Sequence, residues 1–422
     1  MIISELASLS PTSYSKTVLY TFLMSAGVYL HIPFCKSRCS YCDFATDVYR
    51  DGDTVERYVD ALISEIVGFA RISDEATHVF RSGSRLSSGT PGTSGTGWNT
   101  TETDSIYLGG GTPSLLTAGQ LKGILEAVRD KFAIVPAAEL TMEMNPATVT
   151  LETLRDYRSL GVNRASVGVQ TFDDIDLKRL ARGHNAEDAR TTFRTLRDAG
   201  YDNVSFDLII GLPRQTLKDW ERNLNQALAM EPEHLSMYLL EIHEGTPLAE
   251  QIRSERQPPS DPELAAEMYE LMIDKVSAAG YKQYEISNFA KPGFESQHNS
   301  KYWTLDPVYG FGVSAHSFDG EQRYSNNRDT AAYALSVKER GSAEVMRESI
   351  DIASEFLFLG LRLNNGVSLS DYQERFGVDI NDKHAEELDR LEHSGLIEFD
   401  DGRLRLTRKG MLFSNEVFAI FV

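Results

Sequence analysis

The stretch Gly27–Phe44 reads GVYLHIPFCKSRCSYCDF. Its first six residues, Gly27 to Ile32, are an apolar, β-rich run, and the three cysteines of the chain, Cys35, Cys39 and Cys42, follow directly on it. Working outward, runs of the same kind recur at Ile106–Leu108, Leu140–Met144, Ala165–Val169, Val204–Ile210 and Leu235–Leu240. Between them the apolar residues take helical spacing. In Val55–Phe69 they are Val55, Val59, Leu62, Ile63 and Ile66 on one face, and further helical patterns cover Leu115–Phe132, Leu151–Leu160, Ala186–Ala199 and Leu217–Met230. Alternating strand and helix predicts a parallel sheet with crossover helices. Six such units suit a barrel or partial barrel, whose chemistry gathers at the C-terminal ends of the strands. A doubly wound open sheet is the competing arrangement.

The whole chain has 422 residues with 42 basic and 62 acidic side chains, a formal charge of −20, and 41% hydrophobic residues. This is an ordinary soluble composition that excludes a disordered, collagen-like or disulfide-stapled protein. The acidity argues against nucleic-acid binding, which needs a basic face. Three cysteines cannot all pair, so a reducing, cytoplasmic setting is expected. No apolar run approaches a membrane span. Residues 1–26 lack the basic start and continuous apolar core of a secretory signal and are read as a loose extension, with Met24 a second candidate start. Ser82–Asp104 is almost all Ser, Thr and Gly and is expected to be a disordered insertion. Beyond about residue 290 the rhythm changes, and residues 291–345 are read as a connecting region. From 346 to 422, helical patterns at Ile350–Leu363, Ser368–Phe376 and Lys383–Ser394 precede a hairpin, Leu396–Phe399 with Leu404–Leu406, which together suggest a winged-helix-like α+β module.

Thiolates crowded on one short loop can wrap a soft metal or a cluster. Zinc would need a fourth ligand, for which His31 is a candidate, and would make the chain a zinc-binding structural module. A four-iron cluster held by three cysteines leaves one iron open to a non-protein ligand. Ordinary buried thiols are the bland alternative. Downstream, Gly109-Gly110-Gly111-Thr112-Pro113 lets backbone approach a ligand and offers N–H donors, or is only a tight strand-to-helix turn. Glu143 in EMNP stands at a strand end. Gln170 and Asp207 interrupt apolar strands, where a polar side chain is costly without a partner.

The C-x3-C-x2-C spacing, with Tyr41 before the third cysteine, resembles the radical S-adenosylmethionine (SAM) superfamily. That resemblance implies a partial (βα)6 TIM-like barrel in which Cys35, Cys39 and Cys42 hold a [4Fe-4S] cluster and SAM chelates the fourth iron. YLHIPFC, GGGTP, GVQTF and DLIIGLP, between Tyr29 and Phe318, are similar to the branch containing oxygen-independent coproporphyrinogen III oxidase. On that likeness Tyr29, Gly110, Gly111, Thr112, Glu143, Gln170, Arg182 and Asp207 match SAM-contacting positions.

Two features choose within the branch. The oxidases carry a further cysteine two residues after the third, and here that place holds Phe44. Gln297–Trp303, QHNSKYW, resembles the H-N-x-x-Y-W segment of the heme chaperones of the same branch. The resemblance ties His298 to heme iron, with Asn299, Tyr302 and Trp303 beside it. Read without it, the segment is a loop histidine beside a core Tyr-Trp pair. The implied function is a heme carrier that delivers heme to an acceptor hemoprotein. Coproporphyrinogen III oxidation is the alternative. A homodimer is compatible with this, and membrane contact is expected only through a partner.

Overall fold

β1 (Ala26–Ile32) lies in the middle of the sheet because Gly27 to Leu30 pair in parallel with one neighbour and Ala26 to Ile32 with another. The computed structural model describes residues 25–49, 51–69 and 102–421. The expected N-terminal extension up to residue 24 and the Ser/Thr/Gly-rich residues 82–101 lie outside the described residues. Glu102–Asp104, expected to end that insertion, instead begin β2 (Glu102–Gly110).

The strand and helix alternation follows as expected: α1 (Gly52–Gly68), β2, α2 (Ala118–Lys131), β3 (Ala133–Met144), α3 (Leu151–Ser159), β4 (Arg164–Gln170), α4 (Ala186–Asp198), β5 (Val204–Ile210), α5 (Leu217–Ala229), β6 (His234–Leu239) and α6 (Pro262–Ala278). α2, α3, α4 and α5 each open on a capping box, at Thr117, Thr150, Asn185 and Thr216. There a side-chain oxygen and the residue three places on satisfy the first free amides. β3 is longer than its apolar run. Its pairing with β2 slips between Thr103 and Ser105, and Pro136, which cannot donate to a ladder, falls in that gap.

β1 to β6 pair in parallel in the order β1-β2-β3-β4-β5-β6. The chain then adds β7 (Lys282–Glu285) and β8 (Asn288–Ala290) antiparallel beyond β6. α7 (Gln297–Thr304) follows. β9 (Val308–Phe311) joins the other side of β1 in parallel, and β10 (His316–Phe318), β11 (Gln322–Asn326) and β12 (Glu344–Ser349) extend that edge antiparallel, with α8 (Thr330–Arg340) between the last two. Segment 291–345, read as a connection, thus supplies a helix and strands of the same twelve-stranded sheet. The two outer strands, β12 and β7, do not pair, so the architecture is a partial TIM-like barrel.

α9 (Ile352–Gly360), α10 (Leu369–Phe376), α11 (Ile380–His393) and the hairpin β13 (Ile397–Asp400) with β14 (Arg403–Leu406) build the C-terminal module. Its apolar cluster, including Leu357, Tyr372, Leu388, Leu404 and Val417, is separate from the barrel core. Among the described residues no helix is long and apolar enough to cross a membrane.

Candidate functional site

Successive residues of a strand face opposite sides, and in β1 to β6 one side packs on the helices while the other meets across the barrel. The register stacks the inward residues in layers. Gly27, Ser105 and Glu139 lie nearest the strand N-termini; Tyr29, Tyr107 and Thr141 come next; His31 and Gly109 lie above them, with Glu143 two residues beyond Thr141. β4, β5 and β6 contribute Arg164, Ser166, Ser205, Asp207, His234 and Ser236. The interior is therefore polar and internally bonded. Ser166 donates to Asp207 at 3.0 Å, Tyr107 to Glu143 at 2.9 Å, and His234 bridges Ser205 and Tyr284, each at 2.8 Å. Of this set Tyr29, His31, Gly109, Glu143 and Asp207 were singled out from sequence. The missing signal is the period of two: Ser105-x-Tyr107-x-Gly109 and Arg164-x-Ser166-x-Gly168-x-Gln170 alternate with apolar residues.

The cysteine loop springs from the C-terminal end of β1. It is closed by a two-residue parallel pairing of Phe34–Cys35 with Asp47–Val48 and held down by Ser40, whose amide donates to the Leu180 carbonyl at 2.9 Å. All three cysteines are half-buried and free of disulfides. Thr112 donates to the Cys35 sulfur at 3.5 Å and Arg182 to the Cys39 sulfur at 3.4 Å. Burial pushes the Cys35 thiol up to about 11 and raises Cys42, so any metal or cluster bound here must displace protons. Among the described residues no three His, Cys, Asp or Glu side chains converge as a single-ion metal site. His31, considered as a fourth ligand, has both ring nitrogens engaged, by the Tyr29 hydroxyl at 3.0 Å and the Ala45 carbonyl at 2.9 Å.

The glycine loop packs directly under this one. A Cβ on Gly110, whose φ is +108°, would lie 2.6 Å from the His31 ring, and one on Gly111 would lie 2.6 Å from the Pro33 backbone. The expected N–H donors are not available to a ligand. Gly110 N–H is spent on Glu143 at 3.0 Å, Gly111 N–H on the Ile32 carbonyl and Thr112 N–H on the Phe34 carbonyl, both at 2.8 Å. What the loop exposes is bare, close-lying backbone.

Glu143 and Asp207 face this point from β3 and β5. Burial, with the charge of Asp207, pushes Glu143 up to about 7, and burial pushes Asp207 up to about 6. Gln170 ends β4 in the left-handed region at φ +67°, a strained place for a non-glycine residue and a mark of functional sites. Arg182 reaches across to Asn145 at 2.5 Å, the Gly168 carbonyl at 2.6 Å and Tyr41 at 3.4 Å, while its buried Nε has no partner. Except for Tyr29, which lies deeper in the interior, the SAM-matching residues thus gather at the end of the strands that carries the cysteine loop.

QHNSKYW is not a loop. Ser296 caps it as helix α7, and the buried Glu139 accepts the free amides of Gln297 at 3.1 Å and His298 at 3.2 Å, with the fully buried Arg164 4.0 Å away. α7 seats His298 at the opposite end of the interior. Its ring stacks 5.1 Å from Tyr107 and 6.4 Å from Tyr29, and its nitrogens meet Ser105 Oγ at 3.0 Å and Tyr302 OH at 3.2 Å. Burial holds its pKa down at about 3, so it is neutral. It is 1% exposed, and both ring nitrogens are engaged within the protein in this conformation. Asn299 and Tyr302 are half-buried, and Trp303 lies under the Arg362 guanidinium at 4.2 Å with its buried indole N–H unpartnered.

Residues 97–227 match the Radical SAM superfamily model and residues 348–413 the HemN C-terminal domain model. The chain is 35% identical over 404 residues to "Heme chaperone HemW" of Bacillus subtilis (strain 168), covering 93% of this chain and 98% of that one. It is 31% identical to the protein of the same name in Escherichia coli (strain K12), covering 94% and 97%. To "Radical S-adenosyl methionine domain-containing protein 1, mitochondrial" of Mus musculus it is 31% identical, covering 92% and 85%. Among solved structures, coproporphyrinogen III oxidase (HemN) from Escherichia coli superposes with a TM-score of 0.77 at 24% identity, over 97% of this chain and 93% of that one, a likeness of fold.

Proposed function

The chain belongs to the radical SAM family of heme chaperones named HemW, and on that premise we propose that it binds heme and passes it to an acceptor hemoprotein. In this reading it carries a [4Fe-4S] cluster on Cys35, Cys39 and Cys42, with exchangeable SAM on the open iron. The observation that supports it best is the single polar interior that has the cysteine loop at one end and the heme-type segment, through His298, at the other.

The residues fit the cluster: three thiols stand on one loop, two of them accepting hydrogen bonds of the kind that tune cluster sulfurs. When bound, cluster and SAM supply one-electron chemistry at the sulfonium. The chain's own work is placement. Glu143 and Asp207 offer negative charge for the SAM amino and hydroxyl groups. Arg182 positions Tyr41 and the Cys39 sulfur, and Gln170, Tyr29 and the Gly110–Thr112 backbone wall the site. Asn299, Tyr302 and Trp303 form the heme-side segment, and His298 joins them only if α7 shifts. Phe44, at the place where the oxidases have their extra cysteine, is 66% exposed and offers no ligand atom. Coproporphyrinogen III oxidation remains the second reading.

Anaerobic purification tests this. The wild type is expected to hold iron and sulfide in equal amounts, to lose both in Cys39→Ser, to take up heme, and to form no vinyl groups from coproporphyrinogen III with SAM and reductant. Vinyl products would favour the oxidase, and a colourless zinc protein would remove both readings.

A further inference from the structure

α7 is packed between two bodies. His298 and Tyr302, four residues apart on one face, meet Ser105, Tyr107 and each other on the barrel side. Trp303 falls off that face and meets the C-terminal module, whose α9 packs against α7. Exposing His298 therefore requires α7 to move away from the barrel, and the module stands in that path at Trp303.

The obstacle is one side chain. Arg362, two residues beyond the end of α9, lays its guanidinium 4.2 Å from the Trp303 ring centre and sets Nη2 3.4 Å from the carboxylate of the fully buried Glu285. Its backbone is fixed to the barrel rim. The Arg362 carbonyl accepts from Ile286 N–H at 3.2 Å, Leu363 bridges Glu285, and Asn364 N–H donates to the Tyr284 carbonyl at 3.0 Å. Yet the closed arrangement is incompletely bonded. Among the described residues neither the buried Arg362 Nε–H nor the buried indole N–H of Trp303 has a hydrogen-bond partner, and an unpaired buried donor is an uncompensated cost. What holds the two together is the guanidinium lying on the indole, a contact whose planar stacking a lysine does not reproduce.

Resting on the heme-carrier reading, we infer that Arg362 is a positioning residue that latches α7 shut through Trp303, so that His298 reaches heme iron only when this contact opens. Binding then runs through a minor open state, and the apparent affinity is the intrinsic one multiplied by the open fraction. Loosening the latch raises that fraction. It speeds heme uptake and tightens apparent binding by the same factor, whereas mere damage to the site would weaken binding.

The test uses the full-length, anaerobically reconstituted, SAM-loaded protein with ferric heme as the probe. It follows the Soret band and amide hydrogen exchange across Gln297–Thr304. Arg362→Lys keeps a positive charge beside Glu285 and removes the stack. It is expected to raise exchange in α7, the rate of heme uptake and the apparent affinity roughly three- to thirtyfold, the range of such contacts, and to leave the final imidazole-ligated spectrum as in wild type. Trp303→Leu, which removes the other half of the contact, is expected to raise exchange in α7 to a similar extent. In the double variant Arg362→Lys should add nothing to that rise, because the two side chains act through one contact. Wild-type exchange in both single variants overturns the latch, as do additive effects in the double variant. Weaker heme binding by Arg362→Lys, or faster exchange without faster uptake, overturns it equally. Wild-type protein that takes up no heme overturns the carrier reading instead, and exchange in the variants still decides whether Arg362 holds the helix.

Discussion

Glu143 and Asp207 are the residues on which the chemistry of the upper interior turns. Both are half-buried, and the charge of Asp207 adds to burial in raising Glu143. Each holds its proton more tightly folded than unfolded, Glu143 at about 7 and Asp207 at about 6, against ordinary carboxylates near ~4. The stability they contribute is therefore complete below about pH 4 and is lost as pH rises through about 6 to 7. Protein free of SAM and cluster should melt at progressively lower temperature across that window, and Glu143→Gln should make the slope shallower. A slope unchanged by the substitution would mean that Glu143 ionises as freely folded as unfolded. A SAM ammonium beside these carboxylates would favour their charged forms, so added SAM should flatten the same curve.

At the scale of elements, α7 shows what sequence reading could and could not reach. QHNSKYW stood out by likeness, yet its helical form depends on Glu139, 158 residues earlier in the chain, accepting the amide of Gln297. No local pattern carries so distant a cap. Glu139 also stands 4.0 Å from the buried Arg164, whose Nε and Nη1 have no hydrogen-bond partner. Glu139→Ala should therefore cost about 3–5 kcal/mol, the scale of a broken buried ion pair. The loss should be read as a lower Tm together with faster amide hydrogen exchange across Gln297–Thr304. Unchanged exchange in α7 would show that the helix is held by other means. The crossover units were legible because apolar runs of strand length alternate with helical spacing, and Val204–Ile210 matches β5 end to end. β9 to β12 were not, since short antiparallel strands such as His316–Phe318 carry too few residues to show a period. The cysteine loop, Glu143, Arg182 and Asp207 were legible as a set, while the inward Ser105, Arg164, Ser166, Ser205 and His234 were hidden among the apolar residues of the opposite face.

At the scale of the whole molecule, the interior links two ends. The cysteine loop, the glycine loop and the carboxylates occupy one, and α7 with His298 and Tyr302 closes the other, with Tyr29 and Tyr107 stacked between them. The C-terminal module meets this arrangement where Arg362 covers Trp303 and pairs with the fully buried Glu285 at 3.4 Å. On the proposed reading, a change at the cysteine-loop end would reach the α7 segment through packed rings, and from there the module. The central claim is that the chain carries heme in order to give it away. Its most direct test is to load the reconstituted, SAM-bound protein with heme, add a heme-free acceptor hemoprotein, separate the two and measure the heme on each. The account predicts that heme moves to the acceptor and restores its function, while the chain's own iron and sulfide stay behind. Heme that remains on the chain, or reaches the acceptor no faster than free heme does, would contradict it.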